Sequence, residues 1–431
     1  MNTHEPTQHN RLWLQRVLAF EQTMNTWGNE LFKIPELGFK EIKTREKILS
    51  YAKTFGLKLH QDFGVNGFSI QIGEGHPHIG LVAELDALVV PNHPTASIDD
   101  HAAHSCGHHL QSVIMLSALG LYNQYRDPKL KGTITLFCVA AEEYINLDYR
   151  KTLRDEGKIT LYSGKQNLLI ENAFKDVDLI LSAHTMGSTD QPMIELNSRL
   201  SGFIYKKIHF KGLSSHAAVA PHLGINALNA MNLTQNAIAF LRESFEEKDM
   251  VRVHLMSSLG GQSVNTVPSH TILEGYVRSI NPDSLKQINE RINTASHHSA
   301  LALAASADIE DTPGYLPLIQ DELINEVLRP HAEALVGKQG ILDHQLSFAS
   351  GDIGDLSMFK PTIQFGFSGC SGRIHGDDFK MSSSQEALVN PVALCLSVFD
   401  DLFHDPSKVT KITQHFKPKI TLDDFKKLHK L

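Results

Sequence analysis

The residues best suited to chemistry lie far apart in the chain and are of metal-ligating types. In HSCGHH, Cys106 and His108 stand two apart, just ahead of an apolar helical stretch. A thiolate and an imidazole are good zinc ligands and acceptable to manganese or cobalt. A buried cysteine beside a capping histidine would carry the same letters. So would a Cys–His nucleophilic pair, although residues two apart rarely form the nucleophile–base hydrogen bond. Glu142 and Glu143 follow the apolar run LFCVAA. Two adjacent carboxylates there are costly unless a cation or hydrogen bonds compensate them. Neighbours at a strand end project in different directions, so one can bind metal while the other faces an activated water. Solvated loop acids are the bland alternative. His184 closes DLILSAH, and His375 follows TIQFGF and a Gly-rich turn. Asp86, two residues after Glu84, suits the orientation of a ligand histidine, or a plain structural hydrogen bond.

Position along the chain gives these residues a common address. From about Arg11 to Leu59 the apolar spacing reads as helix, interrupted at Pro35 and Gly38. From Gly67 the period changes. GFSIQIG and HIGLVAELDAL read as strands, GTITLFCVAAEE and VDLILSAH as fully buried ones, with the helix HLQSVIMLSALGLYNQY between them. Strands alternating with helices imply an α/β fold, a mixed, largely parallel sheet with helices on both faces. Ligands in such sheets sit beyond the carboxyl ends of the strands. Glu84 with Asp86, Glu142 with Glu143, and His184 all fall there.

The middle of the chain has a different rhythm. FIYKKIHF, NALNAMNLTQNAIAFLRE, VRVHLM, HTILEGYVRSI, DSLKQINERINTASHHSALALA and SADIEDT read as β-α-β-β-α-β, a ferredoxin-like unit. An inserted α+β lid or dimerisation domain is therefore expected over 201–313, with the catalytic domain formed by 1–200 and 314–431.

A chain of 431 residues is too long for one core, and a formal net charge of −8 with interspersed signs excludes a nucleic-acid surface. No apolar run approaches the ~20 residues that cross a bilayer, and MNTHEPTQHN lacks the order of a secretion signal. A cytoplasmic protein with no membrane partner is expected. The four cysteines are widely spaced and read as free thiols. The lysines between Lys408 and Lys430 are interrupted by Asp423 and Asp424, which suits a solvated tail or terminal helix.

Taken together, the motifs resemble the aminoacylase and carboxypeptidase-G type of di-metal peptidases. The nearest branch is that of the aminobenzoyl-glutamate and indole-acetyl-amino-acid hydrolases. The matching pieces are IPELGFKE, AELDAL, HSCGHH, AAEE and SAH, then GLSSHAAVAPHLGINALNA, NTVPS and EGYVRS, then SGDIGDLSMFKPTIQF with His375 shortly after. They cover nearly the whole chain in the right order. The resemblance implies a metal-dependent amidohydrolase acting on N-acyl amino acids or small dipeptides. Cys106, His108, Glu143, His184 and His375 would hold two divalent ions, Mn2+ or Zn2+. Glu142 would serve as general base and acid toward a water held between them. His216 would steady the oxyanion, often from the partner subunit of a homodimer joined through the lid domain. Asn265 and Arg278 would hold substrate, Arg278 by bidentate pairing with a carboxylate; a surface strand arginine would look the same.

Two departures stand out. His109 occupies the place where many relatives have Asp, a change that bears on the residues behind the ligands. The segment from Tyr144 to Phe174 is longer than usual in the family and rich in charge. Two rival readings remain at this point: a non-catalytic binding protein for amino-acid derivatives on the same scaffold, and a cysteine hydrolase using Cys106.

Overall fold

Strands that are apolar along their whole length must be covered on both faces, and the sheet that results fixes where their ends lie. The computed structural model describes residues 8–431; most of MNTHEPTQHN, read above for the absence of a secretion signal, lies outside the described residues. The chain forms two compact units. One holds the residues up to Ser198 together with Ile319–Leu346 and Asp355–Asp424, and the other holds Arg199–Leu318, Ser347–Gly354 and Phe425–Leu431.

The larger unit is built on an eight-stranded sheet. Its spatial order is Leu59–Asp62, Gly67–Glu74, Gly132–Val139, His78–Glu84, Leu179–Thr185, Thr362–Phe367, Ile194–Leu196 and Ile341–Asp343. His78–Glu84 runs parallel to Gly132–Val139 and to Leu179–Thr185, which is in turn parallel to Thr362–Phe367. The first two strands and the pair Thr362–Phe367 with Ile194–Leu196 are antiparallel. The expected α/β fold with a mixed, largely parallel sheet is borne out. Every residue of Gly132–Val139 and of Thr362–Phe367 is buried, as a doubly covered strand requires.

Helices Gln8–Phe32, His108–Tyr125 and Asn390–His404 pack on one another over this sheet and supply much of its core. The last of them corrects a reading above. Gln385–His404 is long and apolar enough to cross a membrane by length and composition, where no such run was expected, but 83% of that window is buried inside the unit. It is a core helix, with Leu394, Leu396 and Phe399 fully enclosed.

The smaller unit is the expected ferredoxin-like element. An antiparallel sheet in the order Arg252–Leu259, His270–Ser279, Gly202–Lys211 and Ser306–Pro313 carries helices Ala227–Leu241 and Pro282–Ala302. Each helix begins on an asparagine cap. The Asn226 side chain accepts from the Leu228 and Asn229 amides, and Asn281 from those of Asp283 and Ser284, with Pro282 opening the second helix. Strict alternation along His270–Ser279 buries Leu273 and Val277 and leaves Arg278 half-buried between its buried neighbours. The Lys-rich end of the chain is helical, at Pro406–His415 and Leu422–Leu428.

Candidate metal centre

Three loops leaving the carboxyl ends of neighbouring strands bring the chemistry together, and each is held by a local device. Between Cys106 and His108 lies Gly107, at φ +84° and capping the helix His108–Tyr125. A Cβ there would stand 2.8 Å from Thr185 Cγ2 and in a strained backbone region, so only glycine fits between the two donors. Ahead of Glu142, Ala141 is itself left-handed, at φ +57°. Its amide donates to the Glu41 carboxylate at 2.8 Å, and Gly38 packs so closely that a Cβ would fall 2.8 Å from Ala141 Cβ. The motif IPELGFKE therefore braces the turn that presents the two glutamates. Burial pushes the Glu41 carboxyl up to about 8, with Asp86 adding to the effect. His375 also has positive φ, +63°, and its amide donates to Ser105 O at 2.8 Å, tying the last loop to the first.

Cys106 Sγ lies 3.4 Å from His184 Nε2 and 3.4 Å from His375 Nε2, and the latter is 3.3 Å from Glu143 Oε1. Donor atoms of Cys106, His108 and His184 lie within 4.8 Å of one another, as do those of Cys106, Glu143 and His375, and of His108, Glu142 and Glu143. Cys106 is the donor common to the first two groups. Glu142 and Glu143 are both buried, which removes the solvated-loop alternative. The histidine tautomers suit metal ligation. His108 Nδ1 donates to Asp86 O at 2.9 Å and His184 Nδ1 to Thr185 O at 2.9 Å; a carbonyl only accepts, so the Nε2 lone pairs face the cluster. Asp86 also accepts from the Glu143 amide at 2.9 Å and lies 3.3 Å from His108 Nδ1.

A divalent ion fits this donor set on two counts. His108 Nε2 and Glu143 Oε1 are buried with no hydrogen-bond partner among the described residues, a condition that a cation relieves. The electrostatics call for positive charge as well. Burial opposes a proton on His108, yet the Cys106 sulfur, Glu84 and Asp86 hold its pKa well above the imidazole range. Burial, with Glu143, drives the Cys106 thiol well above its usual value. The metal-free site thus keeps the Cys106 proton, which a thiolate ligand must give up. Loading is expected to expel about one proton per chain at neutral pH, so binding strengthens as pH rises and weakens as it falls. Calorimetric titration with Zn2+ in buffers of differing ionisation enthalpy measures that release, and a buffer-independent heat would contradict it.

Several residues of the site were not legible beforehand. The long segment after Tyr144 forms helices Leu147–Asp155 and Gly164–Ile170 and buries two cations. Arg150 is 1% exposed and donates to the carbonyls of Ala141, Tyr162 and Glu143. Lys165 is wholly enclosed, its Nζ 2.6 Å from Glu84 Oε1. Behind them, Gln111 donates to Glu84 Oε2 at 3.1 Å and to Ala183 O at 2.6 Å. His109, the departure from the family pattern, is buried between Phe32 and His104, with ring centroids 5.0 and 5.1 Å away. Burial holds it well below the imidazole range, and it joins none of the donor groups.

The remaining expected residues belong to the smaller unit and lie at opposite ends of its sheet. His216 is exposed, and its Nδ1 accepts from the Ala218 and Val219 amides. It bridges to Thr266, and the Asn265 carbonyl accepts from the Ala217 amide. That corner adjoins Lys211 and His270, paired at one end of the sheet, whereas Arg278 pairs with Phe203 at the other. From His270 to Arg278 is eight residues of extended strand, roughly 27 Å. Arg278 donates to Phe348 O at 2.7 Å and Ser350 Oγ at 3.2 Å, over the rings of Phe203 and Tyr276.

Residues 199–302 match the peptidase dimerisation domain of the M20 family. One component of the p-aminobenzoyl-glutamate hydrolase of Escherichia coli (strain K12) is 27% identical over 291 residues, which are 66% of this chain and 56% of that polypeptide. The alignment thus spans just over half of the relative. N-acetyl-L-cysteine deacetylase of Bacillus subtilis (strain 168) is 24% identical over 336 residues, 75% of this chain and 74% of the deacetylase. A dinuclear metal binding peptidase of the M20 family from Bacillus subtilis has the same fold, with a TM-score of 0.65 at 18% identity over 91% of this chain and 99% of that one. The resemblance read from the motifs is borne out by these similarities.

Proposed function

We propose, for this relative of the M20 peptidases, a di-metal amidohydrolase that cleaves the amide bond of N-acyl amino acids or small dipeptides. The observation that carries this reading is the pair of three-donor groups sharing Cys106, with the Glu142 carboxylate beside them. The substrates named for the two relatives, p-aminobenzoyl-glutamate and N-acetyl-L-cysteine, are both N-acyl amino acids. Cys106, His108, Glu143, His184 and His375 would hold two divalent ions, and Mn2+ and Zn2+ both suit the mixed thiolate, imidazole and carboxylate set. When bound, such ions supply Lewis acidity toward the amide carbonyl and lower the pKa of water.

The chain's own residues do the rest. Glu142 has a carboxylate oxygen 3.9 Å from His108 Nε2 and is the glutamate of the pair outside the two Cys106 groups. It takes the proton of the attacking water and returns it to the leaving nitrogen, as general base and then general acid. Arg150, through the Glu143 and Ala141 carbonyls, and Glu41, through the Ala141 amide, hold the turn in place while this happens. A nucleophilic role for Cys106 has little support: the thiol is buried and its pKa is raised, the reverse of an activated cysteine.

His216, Asn265 and Arg278 are assigned to the substrate, with His216 facing the oxyanion and Arg278 the carboxylate. The ~27 Å between the two ends of the lid sheet exceeds a small N-acyl amino acid. One copy of the chain therefore does not bring all three to one substrate, and a homodimer in which the partner copy supplies His216 and Asn265 resolves the conflict.

The decisive experiment is a panel of N-acyl amino acids and dipeptides assayed with metal-reconstituted and chelated protein. Hydrolysis that disappears with chelator is expected, and binding without turnover would make the protein a carrier instead. Within the panel, Arg278→Met is expected to raise KM for substrates with a free carboxylate by about 10- to 100-fold, the worth of a charged hydrogen-bonding pair. The same variant should leave KM for the corresponding carboxamides nearly unchanged; equal effects on both would remove Arg278 from the carboxylate site.

A further inference from the structure

One donor of the cluster faces outward. His375 is the most exposed of the five, at 50% of its side chain, whereas Cys106, His108 and Glu143 are buried. It lines a cleft of about 360 Å3 within the larger unit, walled on one side by residues 90–92 and on the other by Arg373, Ile374, Gly376 and Asp377. We propose, on the reading of the centre as an amidohydrolase site, that this cleft receives the acyl half of the substrate. It selects uncharged, largely apolar acyl groups bigger than acetyl, and Val90, Pro91, Asn92 and Ile374 set that preference.

Both walls are fastened. Val90 follows the strand pair Leu88–Val89 with Ala102–Ala103, and its amide donates to His101 O at 2.9 Å. Its side chain belongs to one apolar cluster with Leu88, Ala103 and Cys106. His93 joins the two walls. Its Nδ1 accepts from the Thr95 amide at 3.2 Å, so Nε2 carries the proton and donates to Phe379 O at 3.0 Å. On the far side the Arg373 amide donates to Asp378 Oδ1 at 3.0 Å, and Ser105 Oγ donates to Gly376 O at 2.6 Å, tying that wall to the loop of Cys106. A cavity held in this way keeps its shape without a ligand, which lowers the cost of ordering it on binding.

Size and charge name the ligand. A volume of about 360 Å3 falls within the range of small-molecule sites and is far more than an acetyl group fills. Val90, Pro91 and Ile374 offer hydrocarbon, and Asn92 adds a neutral polar group. Ile374 keeps 39% of its surface exposed, an apolar side chain next to a ligand histidine that gains burial when the cleft is filled. Charge decides which half of the substrate enters. Arg373 Nη2 lies 3.2 Å from Asp377 Oδ1, and its Nε lies 3.6 Å from Asp378 Oδ1. One guanidinium against two carboxylates leaves this edge net negative, so a substrate carboxylate placed here meets repulsion rather than a partner. The amino-acid half carries that carboxylate. The acyl half therefore takes the cleft, and dicarboxylic acyl groups are disfavoured by the same charge.

The test compares kcat/KM of the metal-reconstituted full chain for one amino acid carrying an acetyl, hexanoyl, benzoyl or succinyl group. The hexanoyl and benzoyl substrates are expected to exceed the acetyl one by about 10- to 100-fold, the range that added apolar contact gives in an enzyme pocket. The succinyl substrate should fall at or below acetyl. Asn92→Trp fills the cleft from one wall, and Ile374→Asn removes apolar surface from the other. Each is expected to lower the benzoyl-to-acetyl ratio about 10-fold or more. Metal content, measured in parallel, should match that of the unmodified chain, which separates an altered subsite from a lost ligand. An unmodified chain that prefers acetyl or succinyl would overturn the proposal, as would a ratio that neither variant moves; where one variant does not fold, the other decides. A chain that hydrolyses none of the four sinks the amidohydrolase reading instead. Benzoate binding then decides the cleft, and a Kd that Asn92→Trp leaves unaltered refutes it.

Discussion

Glu142→Gln is expected to retain its metal and lose about 100- to 10,000-fold in turnover, the range for removing a general acid–base. At ~1.4 kcal/mol per decade that is about 3–6 kcal/mol of transition-state stabilisation. The amide matches the carboxylate in size but takes no proton near neutral pH. Metal should stay because Glu143, rather than Glu142, groups with Cys106 and His375. Substrate affinity should change little, so the loss belongs in kcat. Elemental analysis of the purified variant, paired with steady-state rates on the best substrate of the panel, gives both numbers. A variant keeping more than about a tenth of the rate would mean that the proton is handled elsewhere.

The second large effect is expected at Cys106. Its sulfur stands 3.4 Å from each of two imidazoles that otherwise serve separate donor groups. Cys106→Ala therefore takes one donor from both groups at once and leaves two residues in each. Metal content after dialysis should fall from about two ions per chain to below one, with activity falling alongside. Cys395→Ala is the matched control: that thiol is equally buried, but in the apolar core and outside every donor group. It should lose stability, as a core truncation does, and keep its metal. Full metal content in Cys106→Ala would dissolve the idea of a shared thiolate.

Much of this site can be read from chain order. In a sheet with parallel strands, the carboxyl ends of neighbouring strands collect on one edge. The positions of Glu84 and His184 at the ends of their strands, and of Asp86 and Glu143 just beyond theirs, therefore place them together before any distance is known. His375 is harder, because it sits at φ +63° in a loop with no periodic signal; only the order of matching motifs singled it out. Arg278 was readable as a strand residue, but not its separation from His216 and Asn265, which depends on the strand register.

Sequence by itself determined the alternation of strands and helices, the inserted ferredoxin-like unit, and the types of residue that meet at the sheet edge, since these follow from periodicity and the geometry of consecutive elements. Tertiary structure alone decided which charges are buried. Lys165 and Arg150 sit in a stretch rich in charge with no sign in its letters of which charges are enclosed, yet both end inside. Gln385–His404 is the converse, a membrane-like helix that became core. Burial is a property of what packs against a residue from elsewhere in the chain, and the letters on either side of it do not carry that information.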